Sequence, residues 1–212
     1  MTNQIKPIKG NSRILIILLL LIITSIVMSQ NESKSVKEAK GLAVGAQVAN
    51  FSATNQKGET FILSEALQKG PVVVIFYRGQ WCPVCNKHLG QVQDSLQQIY
   101  NHGATVVAIS PEKTEYLAKT AEKTHASFTL LYDEGYAIAN QFDVTFDPDS
   151  ATKVVYNVVL GANLKNAHSD DSQRLPIPAT FIIGQDHKIV WRQFDPDYKK
   201  RSTVSEILKN IP

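Results

Sequence analysis

The sequence predicts an α/β protein whose mixed central sheet carries helices on both faces. Two observations support this class: strands alternate with helical segments, and the order closes with a hairpin and a helix. The β-branched run at residues 71–77 is apolar on both faces, as expected for a central strand that is covered on both sides, and two further strands follow it. These strands are predicted at residues 71–77, 104–109 and 128–132, and the closing hairpin at residues 179–183 and 188–192.

The segment before the first central strand carries turn and cap signals. Residues 56–59 are typical of a turn, and a short strand is predicted at residues 60–63. Ser64 is then placed to cap a brief helix at residues 65–67. This unit leads directly into the strand at residues 71–77.

The remaining helices are predicted from apolar spacing and end signals. A long helix is expected from residue 83 to residue 102, and shorter ones at residues 134–142 and 202–209. Ser110, which a proline follows, is expected to cap the helix after the second central strand. Residues 147–174 fit none of these patterns and are interpreted as an insertion.

Composition and charge exclude some classes of partner. The apolar fraction is 43%, which is enough for a sizeable core. The formal net charge of +3 comes from Lys6, Lys9 and Arg13, because residues 1–29 contain no acid and the remaining chain is neutral. The folded part therefore gives no electrostatic reason to expect nucleic acid or anionic lipid as a partner.

The first 29 residues have the layout of a targeting segment. An apolar run at residues 14–28 follows the basic stretch, and its roughly 15 residues are fewer than the ~20 of a comfortable transmembrane helix. Residues 1–29 are interpreted as a signal peptide or an uncleaved membrane anchor, with a buried core helix as the third reading. Either targeting role places the protein outside the cytosol, periplasmic, secreted or anchored. Residues 30–41 are predicted to be a polar tether and residues 42–212 the folded domain.

The two cysteines of the chain, Cys82 and Cys85, form a Cys-x-x-Cys at a strand-to-helix junction. A disulfide between cysteines so close in sequence removes little conformational entropy from the unfolded chain and therefore stabilises the fold little. The spacing thus favours redox chemistry, with a structural disulfide as the alternative. Pro83 fits the first helical position, which makes Cys82 the N-cap. Cys85 then begins the core-facing stripe of the helix, which continues through Leu89, Val92, Leu96 and Ile99.

The helix geometry makes the two sulfurs inequivalent. Cys82 lies at the helix N-terminus, where free N–H groups and the helix dipole favour a thiolate. Arg78 could add a positive charge from the end of the preceding strand. Cys82 is therefore predicted to attack and Cys85 to resolve, with Trp81 and Pro83 as neighbouring supporting residues.

No metal site is predicted, because the five histidines are scattered without ligand spacing. One of them, His88, is expected to lie at the surface. The predicted chemistry needs no bound cofactor.

Four segments of the chain, at residues 76–86, 109–112, 176–183 and 195–201, carry a recognisable pattern. They resemble the AhpC/TSA peroxiredoxin-like proteins that carry a Cys-x-x-Cys, within the thioredoxin-fold superfamily. The resemblance covers roughly residues 42–212 and implies a thioredoxin-like fold. It also implies that the Ile177–Pro178 bond is cis and faces the disulfide, where the backbone docks a partner chain.

The chain departs from the peroxiredoxin pattern Pro-x-x-x-Thr-x-x-Cys with its distant arginine. In that alignment the peroxide-attacking cysteine matches Cys85, the threonine Cys82, the proline Arg78 and the arginine Pro178. The resemblance thus names Cys85 as the attacking sulfur, whereas the helix geometry names Cys82. Thioredoxins often bury an acid beneath the pair; here Glu112 either takes that role or is a solvated loop residue.

Three functions are compatible with these observations. The first is an antioxidant oxidoreductase that reduces peroxides or oxidised partners by cycling Cys82 and Cys85, with an external thiol donor such as a thioredoxin-like protein. The second is an extracytoplasmic thiol–disulfide oxidoreductase that acts on protein disulfides. The third is a redox-inert binding module. No nucleic acid is expected, and membrane contact is expected only through the N-terminal segment.

Overall fold

A computed structural model describes residues 34–212 of the chain. The predicted signal peptide or anchor at residues 1–29 lies outside the described residues, as does the beginning of the predicted tether. From Lys34 to Pro212 the chain forms a compact unit. Within that unit no helix has both the length and the apolarity needed to cross a bilayer.

A five-stranded sheet forms the centre of this unit, in the order β5-β4-β3-β8-β9. The strands β3, β4 and β5 run parallel to one another. On the other side of β3, β8 pairs antiparallel to β3, and β9 pairs antiparallel to β8. The predicted mixed sheet is therefore confirmed. The strands are β1 Ser52–Thr54, β2 Thr60–Ile62, β3 Val72–Phe76, β4 Thr105–Ser110, β5 Thr129–Tyr132, β6 Thr145–Phe146, β7 Leu175–Pro176, β8 Ala179–Ile183 and β9 Ile189–Phe194.

The core lies on both faces of this sheet. Every residue of β3 is buried. Val73 and Ile75 belong to the hydrophobic cluster on one side, and Val74 and Phe76 to the cluster on the other. Because successive side chains of a strand point to opposite faces, an unbroken apolar run is what a strand between two helical layers requires.

Short helices connect and cover the strands. The helix after β3 is the one that carries the Cys-x-x-Cys. The helices are α1 Leu63–Leu67, α2 Pro83–Asp94, α3 Leu96–Asn101, α4 Thr114–Thr124, a 3-10 turn Glu134–Tyr136, α5 Ala137–Gln141, α6 Ser150–Val154 with a π-helical continuation Val155–Val159, α7 Leu164–Ala167 and α8 Val204–Asn210.

Three predicted helix boundaries differ from the structure. Helix α1 begins at Leu63 with Ile62 as its N-cap, so Ser64 lies inside this helix and does not cap it. The helix predicted to end near residue 102 is interrupted at Ser95, whose φ of −112° and ψ of 10° leave the helical region. Ser110 does not cap the next helix, because it is the last residue of β4 and its carbonyl accepts the Asp133 N–H at 2.8 Å. Helix α4 begins four residues later, at Thr114, with Lys113 as its N-cap.

Part of the predicted tether packs on the domain. Ala39 is buried, and the Gly41 N–H donates to the Asp143 carbonyl at 3.0 Å. The guanidinium of Arg192 donates to three consecutive carbonyls, those of Lys40, Gly41 and Leu42, at 2.8–2.9 Å. The compact unit thus includes residues before the predicted start at Leu42.

Candidate active site

The two cysteines form a disulfide at the N-terminus of α2, with their Cα atoms 5.2 Å apart. Cys82 is the N-cap of the helix, and its Sγ accepts the Cys85 N–H at 3.2 Å. Pro83 occupies the first helical position, where its missing N–H leaves no helical bond unmade. The predicted capping arrangement is therefore confirmed.

Both sulfurs are shielded from solvent in this disulfide. Cys82 and Cys85 have no exposed surface, so the inequivalence predicted from the helix does not appear as a difference in burial. Cys85 begins the expected apolar stripe, which is buried along its length. The stripe continues through Leu89, Val92, Leu96 and Ile99.

Each sulfur has its own arginine. Arg78 donates from Nη2 to Cys82 Sγ at 3.3 Å, and Arg201 donates from Nη2 to Cys85 Sγ at 3.4 Å. Burial lowers the pKa of both guanidinium groups, and the pKa of Arg201, which Arg78 also lowers, falls to about 10. Both groups stay cationic at neutral pH, so a thiolate formed at either sulfur would lie beside a positive charge.

Sequence reasoning anticipated Arg78 but missed Arg201. Arg201 lies 116 residues from Cys85 along the chain, so no local spacing connects them. The sequence does contain a signal for Arg201, because it lies in residues 195–201, one of the segments that carry the family resemblance, but that resemblance gives Arg201 no role.

Aromatic side chains surround the Arg78 guanidinium. Its Cζ lies 4.0 Å from the ring centroid of Tyr198, 5.1 Å from that of Trp81 and 5.2 Å from that of Tyr156. Nη1 also donates to the Tyr156 hydroxyl at 2.9 Å. Stacking on rings holds a guanidinium in place without neutralising its charge. The insertion thereby contributes Tyr156 to the site.

Glu112 is a buried acid next to this site, which excludes the interpretation as a solvated loop residue. A role like that of the buried acid in thioredoxins stays a prediction. Glu112 is fully buried, and its Oε2 accepts the Gln80 N–H at 2.8 Å. Burial raises the pKa of its carboxyl to about 8, against the lowering effect of that hydrogen bond and of nearby lysines. The acid lies under Gly79, where an added Cβ would be 2.5 Å from Glu112 Oε1 and 2.6 Å from Trp81 Nε1.

The expectation that His88 lies at the surface is wrong. His88 is buried, and its Nε2 lies 3.0 Å from the Ser202 carbonyl oxygen. Burial, with a further contribution from the charge of Arg201, lowers its pKa to about 4, so the imidazole is neutral at neutral pH. Ser202 also bonds to Thr180 on β8 at 2.8 Å, and these contacts fix the segment that carries Arg201.

The prediction of a cis Ile177–Pro178 bond is wrong, because no cis peptide bond occurs between residues 34 and 212. Pro176 is paired in β7, and the Ile177 N–H donates to the Val144 carbonyl at 2.7 Å. An extended trans connection therefore carries the chain from β7 into β8, and trans is favoured at X–Pro bonds by about 0.5–1 kcal/mol. Ile177 and Pro178 still adjoin the site, since they line a cavity of about 350 Å³ together with Arg78 and the rings of Tyr156 and Tyr198.

Within the described part of the chain, no group of three or more histidine, cysteine, aspartate or glutamate residues is arranged to hold a metal ion.

The fold and the site together define a class of protein. A mixed sheet flanked by helices, with a Cys-x-x-Cys disulfide capping the helix after its central strand, is a thioredoxin-like fold. Within that class the chain belongs to the AhpC/TSA family, whose sequence profile matches residues 44–192. The resemblance recognised from the sequence motifs is confirmed.

Individual relatives are peroxiredoxins. The chain is 34% identical over 103 residues to "Peroxiredoxin Bcp" of Escherichia coli (strain K12), which is 49% of this chain and 65% of that protein. It is 36% identical over 103 residues to "Peroxiredoxin Q, chloroplastic" of Populus jackii, which is 49% of this chain and 48% of the relative. The match thus spans between about half and two thirds of these relatives' length.

Solved structures extend the likeness beyond that segment. The crystal structure of peroxidoxin BcpB from Mycobacterium tuberculosis superposes with a TM-score of 0.62 at 25% identity. The superposition covers 80% of this chain and 96% of the BcpB chain.

Proposed function

We propose that the protein is a thiol-dependent peroxidase that cycles Cys82 and Cys85 between dithiol and disulfide. The observation that carries this proposal is the buried cysteine pair with one guanidinium at each sulfur. Two cations in a shielded site favour thiolates, which are the nucleophilic form of cysteine. The peroxiredoxin names of the relatives support the same chemistry.

The catalytic cycle needs only the two sulfurs, the peroxide and an external thiol donor. One thiolate attacks a peroxide oxygen, the O–O bond breaks, and the products are a sulfenic acid and, after protonation, water or an alcohol. The second thiol attacks the sulfenic sulfur, the S–S bond forms, and water leaves. Two thiols of the donor then reduce the disulfide by exchange and become oxidised in turn.

We assign the attack to Cys82. Its Sγ accepts two donors, the Arg78 guanidinium and the Cys85 N–H, whereas Cys85 Sγ accepts from Arg201. Hydrogen bonds to an anion each contribute about 1.5–3 kcal/mol, so the extra donor favours the thiolate at Cys82. Cys85 then acts as the resolving cysteine. The alternative from the family pattern, attack by Cys85, makes the opposite prediction for the single-cysteine variants.

The test is the reaction of the pre-reduced protein with hydrogen peroxide, followed by free-thiol titration in rapid-quench samples. We expect two thiols to be lost per peroxide, faster than in a small-molecule dithiol at the same concentration. The Cys85→Ser variant should form a sulfenic acid at the rate of the parent protein, and Cys82→Ser should react slowly. If the parent is oxidised no faster than the free dithiol, the peroxidase proposal fails.

The second candidate is a thiol–disulfide oxidoreductase of protein substrates, favoured by the Cys-x-x-Cys at a helix N-cap. Rapid exchange with a protein disulfide together with a slow peroxide reaction would favour it. Function that survives replacement of both Cys82 and Cys85 by serine would instead indicate a redox-inert binding module.

A further inference from the structure

An apolar patch lies on the outer surface of the insertion. The side chains of Val158 and Val159 are 75% and 73% exposed. Patches of neighbouring exposed apolar residues mark surfaces that contact a protein or a membrane, whereas single exposed ones need no explanation. We call these residues the valine patch: Val154, Val155, Val158, Val159 and Leu160, all at least 37% exposed.

The orientation of the patch is fixed by the opposite side of the same helix. The spacing of its valines, two adjacent pairs separated by one turn, places them on one face of α6 and its π-helical continuation. On the other face, Tyr156 stacks on Trp81 with ring centroids 4.9 Å apart. Asn157 donates to Gln173 Oε1 at 2.7 Å and accepts the Leu164 N–H at 2.8 Å. The apolar face is thus held outward by specific contacts.

The N-terminal end of the described chain reaches the base of this patch. The Lys34 carbonyl accepts the Asp147 N–H at 2.8 Å, and the Asp147 carboxylate pairs with Lys153 Nζ at 2.5 Å. Lys153 immediately precedes Val154, the first residue of the patch. The apolar run at residues 14–28 therefore connects to the domain beside the patch.

The connecting chain is short. Five residues, 29–33, separate the apolar run from Lys34. A fully extended chain advances about 3.3–3.6 Å per residue, so the link spans at most about 20 Å. A segment inserted in a bilayer would hold the base of the patch within that distance of the membrane.

We propose that the valine patch rests on the surface of a lipid bilayer in which residues 14–28 are inserted. Burial of apolar side chains, rather than headgroup attraction, supplies the contact, because residues 30–212 carry no formal net charge. Zwitterionic lipid is therefore sufficient, and the contact does not depend on salt. Because Tyr156 lies on the same helix as the patch, the membrane contact adjoins the Arg78 side of the cysteine pair.

The test uses the full chain reconstituted in phosphatidylcholine vesicles, with Val158→Trp as a fluorescent probe in the patch. Phosphatidylcholine brominated on its acyl chains quenches tryptophan that enters the bilayer. The matched control is Val190→Trp, at an exposed valine on β9. The parent chain, which contains Trp81 and Trp191, supplies the background.

We expect brominated lipid to quench the Val158→Trp chain at least twofold more than the parent chain, unchanged at high salt. Val190→Trp should match the parent chain. Val159→Trp repeats the measurement at an independent position. Quenching of both patch variants no greater than that of Val190→Trp overturns the proposal. If, in addition, Val158→Ser with Val159→Ser converts a dimer into a monomer in detergent, the patch is a contact with a second copy of the chain.

Discussion

Replacement of Arg78 by methionine tests how the site activates sulfur. The methionine retains apolar contact with the surrounding rings but removes the donor that lies 3.3 Å from Cys82 Sγ. A hydrogen bond to a charged group contributes about 1.5–3 kcal/mol, and each 1.4 kcal/mol changes an equilibrium about tenfold. We therefore expect the peroxide reaction at neutral pH to slow by roughly 10- to 100-fold.

The assay is stopped-flow oxidation of the pre-reduced protein by hydrogen peroxide across a pH series. If Arg78 acts by stabilising the thiolate, the lost rate should return as pH rises, because alkali then supplies the thiolate that the arginine no longer favours. A rate that stays low at every pH would indicate structural damage instead. The control variant is Arg174→Met, since Arg174 stacks on Tyr136 in the same manner, 4.6 Å from the ring, but contacts neither sulfur.

The companion variant, Arg201→Met, decides between the two sulfurs. Arg201 donates to Cys85 Sγ, so its loss should leave the first, peroxide-dependent step nearly unchanged if Cys82 attacks. An unaffected Arg78→Met protein beside a slow Arg201→Met protein would refute our reasoning. That outcome would establish Cys85 as the attacking cysteine.

Three further predictions concern stability, measured by urea denaturation. The Glu112 carboxyl has a pKa of about 8 in the folded protein and a lower one in the unfolded chain, so the free energy of unfolding should fall as pH rises from about 4.5 to 8. Glu112→Gln should flatten this fall. In Asp133→Asn the pH dependence should change only up to about pH 6, because the folded Asp133 carboxyl has a pKa of about 6. Gly79→Ala should destabilise the folded protein by about 1–3 kcal/mol, because the added Cβ would contact Glu112 and the residue has a φ of +153°. The control is Gly90→Ala within α2, where the added Cβ meets open space and should stabilise the protein by about 0.5–1 kcal/mol. The His88 imidazole has a pKa of about 4 in the folded protein, so the free energy of unfolding should fall as pH drops from about 6.5 to 4, and His88→Gln should lessen that loss. The predictions for Glu112 and His88 would be contradicted if variant and parent showed the same dependence of stability on pH.

Local features of the chain predicted most of the fold. The β-branched run at residues 71–77 identified β3, because a strand buried on both faces cannot carry a polar residue without a partner. The proline after Cys82 located the start of α2, since the ring favours the first helical turn and disfavours later ones. These signals act over a few residues, and a sequence displays them directly.

The errors arose where distant segments decide the outcome. The burial of His88 depends on Ser202, which is 114 residues away, and nothing near His88 in the sequence reports that contact. The contact of Arg201 with Cys85 likewise joins residues 116 positions apart. The cis Ile177–Pro178 bond was transferred from a superfamily pattern, and this bond is trans in the structure. The prediction that Ser110 caps a helix is wrong because Ser110 pairs with Tyr132 as the last residue of β4.

In the proposed mechanism, the reactivity of the cysteine pair depends on parts of the chain that lie outside the Cys-x-x-Cys. The helix cap alone gives Cys82 one backbone donor, and this cap requires only the local sequence. The two cations come from elsewhere: Arg78 is held by Tyr156 of the insertion and by Tyr198, and Arg201 by the C-terminal segment that His88 anchors. A chain with the same motif but without these segments would keep the cap and lose the arrangement that favours two thiolates. The Cys-x-x-Cys therefore indicates the class of chemistry, and we infer that the insertion and the C-terminal segment determine how readily each sulfur performs it.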